Sequence, residues 1–111
     1  MAINHTSKIE FNVGLDENKI PEEITWTAKD NNIINQEAKA ILISVWDANA
    51  KDTLRLDLWT KDMPLNEMKF FFHQTLLSMA SSFERATNDE RMSATMRDFC
   101  DYFAEKLELK K

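Results

Sequence analysis

The chain has 111 residues, 43% of them hydrophobic, with a formal net charge of -5 and a single cysteine, Cys100. Its Lys and Arg residues are scattered among Asp and Glu, which argues against nucleic acid or anionic lipid, since both call for clustered basic residues. One cysteine excludes an intrachain disulfide, and the longest apolar runs, such as Phe70-Phe71-Phe72, fall far short of the about 20 residues a membrane span needs.

The start, Met-Ala-Ile-Asn-His-Thr-Ser-Lys, has no apolar run of the kind a secretory leader carries. A cytoplasmic protein without membrane insertion is therefore expected. The length fits one domain, 1–111, and the absence of any linker-like stretch gives no reason to divide it.

Lys8 to Asp16 alternates, with Ile9, Phe11, Val13 and Leu15 on one face, so period two predicts a half-buried strand. Glu17-Asn18-Lys19 is a turn, and Pro21 delays the return to regular pairing. Glu23 to Lys29 alternates again, with Ile24, Trp26 and Ala28 on one face and Thr25 and Thr27 on the other. The two segments predict a β-hairpin.

Lys29-Asp30-Asn31-Asn32 is a break, after which Asn32 or Asn35 could cap a helix. Ala38, Ile41, Leu42, Val45 and Trp46 recur at three- and four-residue steps, which predicts a helix over Ile34–Asn49 ending at Lys51-Asp52. Leu54, Leu56 and Leu58 then alternate with Arg55, Asp57 and Trp59. This predicts a third strand with its leucines toward the core and a tryptophan on its polar face.

Asp62-Met63-Pro64 opens a helix, with Asp62 as a cap and Pro64 in the first turn. Leu65, Met68, Phe71, Phe72, Leu76, Met79 and Phe83 form its apolar stripe. Thr87-Asn88-Asp89-Glu90 has capping-box spacing. A last helix carries Met92, Met96, Phe99, Phe103 and Leu107 on one face, and Lys110-Lys111 suits its negative carbonyl end.

The expected fold class is therefore α+β. A three-stranded, mainly antiparallel sheet in β-β-α-β-α-α order is packed by helices on one face, and the last two helices form an antiparallel hairpin.

The search for chemistry is short. His5 and His73 are the only histidines, and neither has a second ligand at i+3 or i+4, so no metal is expected. One glycine, Gly14, cannot make a phosphate loop, and no cofactor is expected. Cys100 sits beside the apolar face of the last helix and reads as buried filler. An antiparallel hairpin would bring it near His73, the one arrangement that could serve a small Cys/His enzyme.

Two features suggest binding instead. Met63, Met68, Met79, Met92 and Met96 enrich the second half; such stripes are more often core than adaptable surface. Arg55, Asp57 and Trp59 share the outer sheet face, and Trp and Arg are favoured at interface centres.

The stretch Leu54-Arg55-Leu56-Asp57-Leu58-Trp59-Thr60-Lys61-Asp62-Met63-Pro64 leads into Met68-Lys69 and Phe71-Phe72-His73-Gln74-Thr75-Leu76. Phe83-Glu84-Arg85-Ala86-Thr87-Asn88-Asp89-Glu90 and Met96-Arg97-Asp98-Phe99-Cys100 follow. These segments resemble the gliding motility-associated protein C (GldC) family of the Bacteroidetes. The likeness extends to the Lys8-to-Asp16 strand and to Glu37-Ala38-Lys39-Ala40, read as a helix start. The resemblance implies a small cytoplasmic accessory of a surface-motility machine, with no known enzymatic activity and no known cofactor.

The leading expectation is an adaptor that binds a protein component of the gliding machinery through Arg55, Asp57 and Trp59, without catalysis. The second reading is a homo-oligomeric structural protein, a homodimer being the simplest form. The third is the Cys100/His73 enzyme.

Overall fold

The computed structural model describes residues 2–109. They divide into two compact units, Met1–Met63 and Pro64–Lys111. The first holds five strands, β1 Glu10–Leu15, β2 Pro21–Ala28, β3 Ile33–Ala38, β4 Ala40–Asp47 and β5 Asp52–Trp59, with a 3-10 turn between β2 and β3. The second is two helices, α1 Leu65–Thr87 and α2 Glu90–Lys106.

β1 and β2 form the expected hairpin. Phe11 faces Trp26 and Val13 faces Ile24 across the antiparallel pair, so the alternating apolar residues share one face. The Phe11 and Trp26 rings stack with centroids 5.8 Å apart. The turn is built by Asp16, whose carboxylate accepts the Asn18 N–H at 2.8 Å and the Ile20 N–H at 3.0 Å. Pro21 is tolerated as the first residue of β2, where a missing N–H costs least.

The predicted helix over Ile34–Asn49 is instead β3 and β4. The residues Ala38, Ile41, Leu42, Val45 and Trp46 fit a 3.6 period, but Ile41, Ile43 and Val45 fit a period of two equally well. The segment is rich in β-branched side chains, which lose χ1 freedom in a helix and suit a pleated surface. Pairing decides the contest: β3 adds to β2, and β4 pairs along its whole length with β5.

Asn32 and Asn35, read as helix caps, have other roles. Asn32 takes φ 60° and closes a 3-10 turn over Lys29–Asn31 by donating to the Lys29 carbonyl at 3.0 Å. Asn35, at φ 48°, sits in a bulge where the β2–β3 register shifts. Its N–H donates to Thr27 Oγ1 at 3.0 Å. Asparagine tolerates this left-handed conformation better than most residues.

The order is thus β-β-β-β-β-α-α, with two sheets, β1-β2-β3 and β4-β5, in place of the single three-stranded sheet. The α+β class and the terminal helical hairpin stand.

The two sheets meet at one polar corner. The Thr60 N–H donates to the Lys39 carbonyl at 2.8 Å, and the Lys61 N–H to the Pro21 carbonyl at 3.2 Å. Asp62 was expected to cap α1. Instead it accepts the Thr60 hydroxyl at 2.6 Å and Lys39 Nζ at 2.9 Å, and α1 starts after Pro64 with no side-chain cap. Lys61 Nζ reaches Asp16 at 3.1 Å and Glu22 at 3.2 Å. Thr60 is buried at the centre of this corner.

In the helical unit α1 ends at Asn88, which adopts φ 60° and returns its N–H to the Glu84 carbonyl at 2.8 Å. The capping box is displaced by two residues. Thr87 is the last residue of α1, and Asp89 caps α2 by accepting the Met92 N–H at 2.9 Å. Arg97 to Glu84 at 2.8 Å and His73 stacked on Phe103 show that the helices run antiparallel. Lys110 and Lys111, expected to favour the end of α2, lie outside the described residues.

The most deeply buried part of the hairpin is not the large apolar stripes. Ala80, Ser93 and Cys100 are the fully buried residues, because small side chains let two helices approach closely. Leu65, Phe72, Met79, Met92 and Phe99 of the predicted stripes are exposed.

Candidate functional site

The β4–β5 ribbon places the predicted binding residues. In an antiparallel pair, directly opposed residues share a face. Ala40/Trp59, Leu42/Asp57, Ser44/Arg55 and Trp46/Thr53 are opposed on one face. Ile41/Leu58, Ile43/Leu56 and Val45/Leu54 are opposed on the other.

Arg55, Asp57 and Trp59 therefore stand together as a row. Arg55 Nη2 lies 3.8 Å from the Asp57 carboxylate, both well exposed. Such a pair adds little to stability in water, so its two charges remain open to other partners. Trp59 is 52% exposed, an unusual cost for so large a ring. A shallow depression beside it is lined by Ile20, Pro21, Asp57, Leu58 and Lys61.

Sequence reading missed Trp46. It lies on the same face as Trp59 and is 65% exposed. At about 3.3 Å per residue, the two indoles bracket the charged pair over roughly 20 Å. Its signal was period-two alternation with Leu42 and Ser44, hidden by the helical reading. The leucines of β5 also depart from expectation. Leu54 and Leu56 are 57% and 49% exposed rather than turned into a core.

Neither chemistry considered from sequence gains support from geometry. No cluster of three metal-binding side chains occurs among the described residues. His73 stacks on Phe103 at a centroid distance of 6.1 Å, and no hydrogen bond joins His73 to Cys100 among the described residues. Burial pushes the Cys100 thiol up, with Asp101 adding to the shift and Arg97 opposing it. A raised thiol carries less thiolate at neutral pH. A thiol-reactive probe at neutral pH is expected to label Cys100 only after denaturation; fast labelling of native protein would show otherwise.

The polar corner is structural. The Thr60 hydroxyl and Lys39 hold Asp62 below the ordinary carboxylate value of 3.8. Backbone donation from Ile20, then the Lys61 ammonium, do the same for Asp16. A carboxyl depressed in the folded state stabilises it fully above the unfolded value, and loses that contribution as pH falls through the depressed one. Acid titration of D62N, followed by Trp fluorescence, is expected to show a shallower loss of stability than wild type as pH falls below the ordinary carboxylate value of 3.8.

A protein-family model described as gliding motility-associated protein GldC-like matches residues 21–109. The match runs from the start of β2 through α2, and β1 lies outside it. No curated protein matches the chain, and no solved structure matches it.

Proposed function

The chain belongs to the GldC-like family of gliding motility-associated proteins, and from that premise we propose that it is an accessory of the gliding machinery that acts by binding protein, without catalysis. The observation that carries this reading is the exposed row Trp59, Asp57 and Arg55 on β5, extended by Trp46 of β4. Aromatic and arginine side chains in the open are the residue types that dominate interface energetics. The partner is a protein component of the gliding machinery, met in the cytoplasm. No helix of the described residues is long and apolar enough to cross a membrane, which is consistent with a role beside the envelope machine rather than within the bilayer.

Photocrosslinking in living cells tests this. A photoreactive side chain at Trp59 is expected to join the protein to a component of the gliding apparatus. The same group at Glu105, exposed on α2, is expected not to. Equal adducts from both positions, or none from Trp59, would overturn the assignment of the site.

A further inference from the structure

β5 has a second edge that no strand pairs with among the described residues, bordered by Ile20 and Pro21 only at its Trp59 end, and its chemistry is self-complementary. The parity of the strand follows from two bonds. The Thr60 N–H points to Lys39, on the β4 side, while the Lys61 N–H points the other way, to Pro21. Backbone groups alternate between edges along a strand. The N–H and C=O groups of Thr53, Arg55, Asp57 and Trp59 therefore face away from β4. Thr53 N–H is taken by the Asp52 carboxylate at 2.9 Å. For Arg55, Asp57 and Trp59 no backbone partner occurs among the described residues.

An open strand edge is a template for another strand unless something blunts it. In the three-stranded sheet both pairings carry a register shift, a common blunting device. The β4–β5 ladder runs unbroken from Asp47/Asp52 to Ala40/Trp59, and β5 has no proline.

We infer that β5 pairs antiparallel, edge to edge, with β5 of a second copy about a two-fold axis through Leu56. Outward-facing residues must oppose one another, so the register sum is even. Centring on Arg55 or on Asp57 would set like charges face to face. Centring on Leu56 sets Arg55 opposite Asp57 of the other copy, twice. It also sets Leu56 opposite Leu56, Leu54 opposite Leu58, and Thr53 opposite Trp59. Every opposed pair is then apolar with apolar, charge with opposite charge, or Trp with Thr, combinations that stabilise cross-strand neighbours. The backbone bonds fall on the Arg55/Asp57 pairs. β4 offers no charged residue between Ala40 and Trp46 to select a register.

The product is a four-stranded sheet, β4-β5-β5-β4, that doubles the Trp59 face and leaves it open. The inference rests on β5 being an interaction strand, as proposed above, but uses its edge rather than its face.

The test is register-specific disulfide trapping in full-length protein with the buried native thiol removed by C100S. The Leu56 pair is a non-hydrogen-bonded one, with Cα atoms about 4.5 Å apart, within disulfide reach. L56C is expected to crosslink as a dimer under mild oxidation. L54C alone is expected not to, because its two copies lie about 13 Å apart along the strands. Sedimentation equilibrium of the unmodified chain is expected to give twice the 13.0 kDa chain mass at high concentration. R55D opposes two carboxylates at both positions and should weaken the dimer roughly tenfold or more; the swap R55D/D57R should restore it. A monomer at all concentrations, equal crosslinking of L54C and L56C, or no rescue by the swap would overturn the inference. A monomer that still crosslinks a gliding component through Trp59 would remove the dimer and leave the proposed function intact. A register-specific dimer with no such adduct would do the reverse.

Discussion

Ile24→Ala is expected to destabilise the protein by about 2–5 kcal/mol, the largest effect of any single truncation. Ile24 is fully buried at the middle of the central strand β2. Val13 of β1 lies opposite on one side and Ala38 of β3 on the other. With the 3-10 turn and the Asn35 bulge fixing the outer strand, the site cannot collapse freely, so the cavity remains and its cost adds to the lost transfer energy. Urea unfolding followed by fluorescence checks it. The midpoint should fall with an unchanged slope. A loss below about 1 kcal/mol would mean that β2 is not the centre of this sheet.

Ala80→Leu is expected to cost roughly 1–3 kcal/mol by overpacking. Ala80 has no exposed surface, and the buried residues contributed by α2 are Ser93 and Cys100. A larger side chain must push the helices apart or leave its rotamer. Ala80→Gly, which cannot overpack, should cost about 1 kcal/mol through backbone entropy alone. If the leucine variant were as stable as wild type, the small-residue seam would not be where the helices meet.

The same two variants address domain organisation. We propose that residues 1–111 unfold as one cooperative domain. Trp26, Trp46 and Trp59 all lie before Pro64, and both helices lie after it. Fluorescence thus reports the strand unit, and helical circular dichroism reports chiefly the helices. Coincident transitions in both variants are expected for one domain. Separate transitions, each moved by only one variant, would make the chain two.

The strands at Lys8–Asp16 and Glu23–Lys29 were legible because alternation there has no competing period. The helical hairpin was legible because Ala86-Thr87-Asn88 stops one amphipathic run and a second begins at once, although its cap is Asp89 and not the expected Thr87. The Ile34–Asn49 segment was misread for a physical reason. Its apolar residues satisfy two periods at once, and the choice between them lies in a partner, β5, that local sequence does not contain. That single misreading hid Trp46 and turned two sheets into one. It also placed Leu54 and Leu56 against a core, although Leu54 pairs with Val45 at the exposed end of β4, far from the buried Ile41.

The row Arg55, Asp57 and Trp59 was legible from period two alone, since residues two apart on a strand share a face whatever lies beside it. What could not be read was the direction of the backbone groups. That depends on whether Thr60 or Lys61 bonds toward β4, a matter of tertiary pairing. Cys100 was read as buried and is, but its buried companions Ala80 and Ser93 were invisible to a search for large apolar side chains.

The central claim is that this chain serves gliding through the exposed face of β5. The most direct measurement is the gliding of cells whose only copy carries Trp59→Ala with Arg55→Ala, at wild-type protein level and wild-type thermal stability. The account predicts that such cells lose gliding. Cells that glide at the wild-type rate would contradict it.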